Sequence, residues 1–137
     1  MSDIADEVLG LPTIQLIVQK DRFAQLMGVK IEAIRVAYAR VSMLVEEKHF
    51  NGVDIVQGGA LFALADYAFA LASNSHGITA VGLESSISFF KPTHSGTLYA
   101  EATEQFRSKS LGAFDVTVTN DAGITVAIFH GRCFFRA

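Results

Sequence analysis

The sequence predicts an α+β domain, in which one long apolar helix is set among strands that pair antiparallel. Three observations carry this reading. Gly58 to Ala72 is rich in Ala, Leu and Phe, holds no β-branched residue and is long enough for about four turns. Val29 to Val45, before it, alternates with period two, and four strand-like runs follow it. The gaps between those runs are short, so successive strands are expected to be antiparallel neighbours. The apolar residues of the helix are not confined to one stripe, so a sheet curled around it is the natural cover.

In chain order, Ser2 to Leu9 reads as a short amphipathic helix with Ser2 a possible cap and acids in the first turn. Pro12 interrupts, and Thr13 to Met27 reads as a second helix closed by Gly28, although Ile14 to Val18 also fits a strand. Val29 to Val45 fits either one bent strand or a tight hairpin. The loop residues His49 to Asp54 lead through Gln57-Gly58-Gly59 into the central helix, expected over residues 58–73 and ended by Ser73-Asn74-Ser75-His76-Gly77. Strands are expected over Ala80–Phe90, Thr97–Arg107, Ala113–Asn120 and Thr125–Phe135.

At 137 residues this is one domain, 1–137, with a helical N-terminal segment over 1–27. Half the residues are hydrophobic and eleven are Phe, which points to extra burial in a subunit interface. The net charge of −3 and the lack of a long basic run argue against nucleic acid as partner. The apolar core of the helix is shorter than the roughly 20 residues of a bilayer span. No signal peptide is visible, and the single Cys133 excludes an intrachain disulfide, so a reducing cytoplasm is expected. The four His residues lack a ligand spacing and no metal is expected. No serine elbow is present either.

One charge interrupts the helix. Asp66 stands among Leu64, Ala65, Phe69 and Ala70, and burying a lone carboxylate costs several kcal/mol unless partners compensate. Either the acid is used, or it lies on a narrow solvated strip, or it accepts a structural hydrogen bond.

The segment from His49 through Asn51, Gln57-Gly58-Gly59 and Leu64-Ala65-Asp66 resembles the active-site segment of hotdog-fold thioesterases. Ala72-Ser73-Asn74-Ser75, Ser88-Phe89-Phe90-Lys91-Pro92 and Gly123 to Gly131 extend the resemblance to the PaaI-like, phenylacetic-acid-degradation branch. It covers the chain from about residue 28 to the end. It implies a hotdog fold, homodimers whose sheets join edge to edge and commonly pair again into homotetramers, and hydrolysis of acyl-coenzyme A at a site shared across the dimer. No cofactor is implied beyond coenzyme A as part of the substrate. Gln57 departs from the branch, which usually carries His there; Gln can donate a hydrogen bond but cannot hold a proton charge.

The residues suit that chemistry. Gly58 and Gly59 begin the helix, so their N–H groups lack intrahelical acceptors and can stabilise an oxyanion, typically by about 3 kcal/mol. Without that role they simply turn the chain. Asp66 supplies a base or a nucleophile, and an apolar setting raises its pKa. It lies eight residues after Gly58, about 12 Å along the helix, so one helix cannot bring both onto one carbon. Two antiparallel helices across a dimer can. Asn51 can orient water or the carbonyl, or form a turn before Gly52. Lys91, Arg107 and Lys109 can meet coenzyme A phosphates or be solvated turn charges. Phe62, Ser73 and Phe89 are candidates for holding the acyl group, with core packing and helix termination as their ordinary roles. Besides a thioesterase, the residues admit a hotdog dehydratase, disfavoured by Gln57, or a non-catalytic acyl-coenzyme A binding module.

Overall fold

A computed structural model describes residues 3–136, so the expected Ser2 cap lies outside the described residues. The chain forms α1 (Asp6–Leu9), α2 (Pro12–Lys20), α3 (Arg22–Met27), β1 (Val29–Arg35), β2 (Tyr38–Leu44), α4 (Gly58–Asn74), β3 (Thr79–Phe89), β4 (Thr97–Arg107), β5 (Leu111–Thr119) and β6 (Thr125–Arg136), with one 3-10 turn at Glu47–His49. All strands join one antiparallel sheet in the order β1-β2-β4-β5-β6-β3. Helix α4 lies across its inner face, which is the hotdog arrangement.

The period-two pattern explains the sheet's inner face. Gly112, Phe114, Val116 and Val118 of β5 are buried in alternation with Leu111, Ala113, Asp115 and Thr117. They meet Leu61, Leu64, Ala65, Ala68, Leu71 and Ala72 of α4 in a single core. The Val29–Val45 segment is a hairpin, not a bent strand; its tip residue Ala37 has φ 67° and donates its N–H to Ser75 Oγ at 2.7 Å. That bond ties the hairpin to the end of α4.

Three expectations are corrected. Residues 3–5 are not helical: Ala5 N–H donates to Ile34 O and Ile34 N–H to Asp3 O, so the segment covers the β1 edge before α1 begins. The helix expected over Thr13–Met27 is two helices, because Asp21 leaves helical geometry at ψ 87° and caps α3 by accepting from Ala24 N–H at 3.0 Å. Gly28, at φ 80°, closes α3 as expected. The third correction concerns β3 and β4, which are not neighbours despite the short gap between them. β3 pairs with β6 at one edge and β4 with β2 and β5. Residues 90–96, extended, span about 20 Å, enough to cross three strand spacings of about 4.8 Å. Along the way Phe90 N–H bonds to Val126 O, Thr93 O accepts from Val56 N–H and Gly96 O from Val45 N–H.

Candidate active site

The site is assembled at the N-terminal end of α4. Asn51 O and Oδ1 organise the approach loop, Oδ1 accepting from Val53 N–H at 3.0 Å and Ile55 N–H at 3.3 Å. Its oxygen is thus the turn-former, which leaves its amide N–H groups for other work. Gln57 is the N-cap residue of α4; its own N–H donates to His49 O at 2.8 Å and its side chain makes no capping bond. Gln57 O accepts from Ala60 and Leu61 N–H, whereas the N–H groups of Gly58 and Gly59 have no acceptor among the described residues.

Close approach favours glycine at position 58, where a Cβ would stand 3.0 Å from the Phe89 ring; at Gly59 the nearest atom, Gln57 Oε1 at 2.9 Å, is the tip of an exposed side chain that can turn away. The end of β3 is therefore packed on the helix start. Two hollows flank this turn. One, of about 380 Å³, is lined by Asn51, Gly58, Leu61, Phe89, Phe90 and Lys91; the other, of about 260 Å³, by Phe23, Met27, Phe50, Gln57, Gly59 and Ala60, with Lys48 and His49 at its side. A hollow on the outer sheet face, around Leu83, Phe106, Leu111 and Arg132, holds none of the candidate residues.

Asp66 lines neither hollow. Facing away from the sheet, it is exposed, on a strip with Gly59, Ala63 and Ala70, so the expected apolar enclosure is absent in the single chain. The reason is that α4 spends its large side chains on the sheet and keeps small ones opposite. Burial of the carboxylate's surroundings still raises its pKa, and the Asp21 carboxylate adds to the rise.

The remaining candidates are elsewhere. Phe62 packs edge-on against Phe129 at 5.2 Å between centroids, half-buried. Ser73 lines neither hollow: it is buried, with Oγ donating to Ala70 O at 3.2 Å, near the opposite helix end. Arg107 and Lys109 also stand at that end, Arg107 beside Glu104 at 3.6 Å, which itself meets His76 at 2.6 Å. They are exposed and remote from Gly58 within one chain.

His49 has no ligand spacing in the sequence, yet it anchors the site. Buried, it accepts the Glu46 N–H on Nδ1, so Nε2 carries the proton and donates to Met27 O at 2.9 Å. Its position three residues after Glu46, the capping-box spacing, is the local signal. Nothing in the sequence signalled that α3 would stand beside Gly59.

The thioesterase superfamily model matches residues 54–127, more than half the chain, from the end of the approach loop through α4 to the start of β6. The chain belongs to the thioesterase superfamily. Within the superfamily it is PaaI-like and a thioester hydrolase: it is 37% identical to the acyl-coenzyme A thioesterase PaaI of Escherichia coli over 83% of this chain and 82% of that one. The solved structure of the E. coli PaaI protein from the phenylacetic acid degradation operon superposes with a TM-score of 0.87, at 34% identity and 91% coverage of each chain. A mutant of the phenylacetic acid degradation protein PaaI from Thermus thermophilus gives 0.81 at 35% identity, covering 85% of this chain and all of that one. No helix among the described residues is long and apolar enough to cross a membrane.

Proposed function

We propose that the protein hydrolyses acyl-coenzyme A thioesters with an aryl or medium-chain acyl group, at a site shared by two copies of the chain. The observation that carries this is the pair of acceptor-free amides at Gly58 and Gly59, opening beside a hollow lined by Asn51, Phe89 and Lys91. The thioester carbonyl oxygen accepts from those amides at the positive end of the α4 dipole. Asp66 of the second copy either removes a proton from an attacking water or itself attacks the carbonyl carbon. In the first case the tetrahedral adduct collapses with C–S cleavage, the proton taken from water passes from Asp66 to the sulfur, and the free acid and coenzyme A thiol leave together. In the second, C–S cleavage leaves an acyl–Asp66 anhydride and a thiolate, and a water then hydrolyses the anhydride, giving its hydroxyl to the acid and its proton to the sulfur. Asn51 and Gln57 donate amide N–H groups to the thioester or to the water, and Lys91 meets the coenzyme A phosphates.

Distance and the edges of the sheet support the sharing. Gly58 and Asp66 are about 12 Å apart along one helix. The β3 edge is open beyond Ala80, whose N–H donates to Asn74 Oδ1, with Val81 and Leu83 exposed, whereas the β1 edge is occupied at Ile34. A two-fold axis at the β3 edge sets two α4 helices antiparallel, which suits delivery of Asp66 to the partner's Gly58–Gly59 turn and covers its exposed strip. Arg107 and Lys109 enter this reading only through such a copy. Pairing of two dimers into a tetramer and a reducing, cytoplasmic setting complete the proposal, Cys133 being a buried free thiol whose pKa burial pushes up to about 11.

The test is release of coenzyme A from a panel of acyl-coenzyme A thioesters, read with a thiol reagent. Asp66→Asn is expected to lower kcat at least about 100-fold with its circular dichroism spectrum unchanged. Unaltered turnover in that variant would remove the assignment.

A further inference from the structure

The Gly58–Gly59 turn divides two hollows that each have aromatic walls and one lysine, Phe89, Phe90 and Lys91 on one side and Phe23, Phe50 and Lys48 on the other, and a thioester held there must send its acyl group one way and its coenzyme A the other. Lys91, on the Phe89 side, is exposed and has no ion-pair or hydrogen-bond partner for its ammonium among the described residues. That makes it a free cation for an anionic tail. Lys48, the cation on the other side, is already paired with Glu46 at 3.5 Å. The walls there are Phe23, Met27, Phe50 and Ala60.

Phe23 and Met27 come from α3, four residues apart and hence on one helix face. Both lie outside residues 54–127, the part matched by the superfamily model. Phe23 is 59% exposed although it is a large apolar side chain beside a cavity. The position of this wall relative to the turn is fixed by one residue: the His49 ring holds Met27 O, while His49 O holds Gln57 N–H. The Gly58–Gly59 turn and the end of α3 are thereby both tied to the same three-residue 3-10 turn.

We propose that α3 is the acyl-selectivity element of this enzyme. Phe23 and Met27 form the wall against which the acyl group packs, Lys91 marks the coenzyme A side, and His49 is a positioning residue holding the wall to the turn. The proposal rests on the thioesterase reading above and adds a specificity determinant to it.

Two variants and two readouts test it. Phe23→Ala is expected to lower kcat/KM for a phenylacetyl or octanoyl thioester at least about tenfold while changing acetyl-coenzyme A less than about twofold. Lys91→Ala is expected to raise KM equally for all three, and to have no effect on N-acetylcysteamine thioesters, which lack the nucleotide. Calorimetric binding of non-hydrolysable S-alkyl coenzyme A thioethers of two and eight carbons should show the same loss of chain-length preference in Phe23→Ala. Equal effects of Phe23→Ala on short and bulky acyl groups, or none, would overturn the subsite while leaving hydrolysis intact. Chain-length-selective thioether binding with no thioester turnover would sink the hydrolase reading and leave the subsite standing.

Discussion

Asp66 is an acid that the fold does not favour in its ionised form. Desolvation by the groups packed around this exposed side chain first, and the Asp21 carboxylate second, hold its pKa above the ordinary 3.8. The folded chain therefore binds this proton more tightly than the unfolded one does. Its stabilising contribution is complete below pH 3.8 and is lost as the pH rises through the elevated folded value. At neutral pH the carboxylate is a net cost, and Asp66→Asn is expected to melt at the same temperature as the parent or higher. The gap should close as melts are repeated below pH 3.8. A clear loss of Tm at pH 7 would mean that the carboxylate has a stabilising partner. The oddity of an acid in this helix was legible in the sequence, but its exposure was not. Which strip of a nearly all-apolar helix faces the sheet depends on where the bulky side chains find room, and that is decided across the sheet.

Among the elements, the boundaries of α4, β4 and β6 followed from composition and turn residues, because local chemistry governs where a strand or helix stops. Pairing does not obey local chemistry. The stretch 90–96 has the length of an ordinary hairpin loop, yet Pro92 and its neighbours run extended across the end of the sheet and carry the chain from one edge to the middle. The site residues near this crossing, Phe89 and Lys91, were recognisable only through the family pattern around them. A tight element contact supplies a second test. Gly131 on β6 lies under the Phe69 ring of α4, where a Cβ would stand 2.9 Å from two ring carbons. Gly131→Ala is expected to lower stability by about 1–3 kcal/mol in urea titration, and Phe69→Leu in the same chain should recover part of the loss.

At the scale of the whole molecule, the candidate residues divide between the two ends of the sheet. Asn51, Gln57, Gly58, Gly59, Phe89 and Lys91 gather at the start of α4; Ser73, Arg107 and Lys109 lie at its far end. Sequence order could not show this, since it treats all of them as points on one line. Ser73 resembles a site residue by its spacing from Asp66, but a hydroxyl one turn from a helix end readily satisfies a carbonyl of the preceding turn, here that of Ala70.

The two borders of the sheet are unlike, and this bears on how far association can go. Asp3 and Ala5 use both main-chain groups of Ile34, while β3 is uncovered beyond Ala80, whose N–H is held by Asn74 Oδ1. A protomer with one sticky side and one blocked side closes on itself after a single pairing instead of growing into a ribbon. Removing residues 1–5 should unblock the second side, and light scattering should then show polymers that lengthen with concentration while the parent chain holds a fixed size.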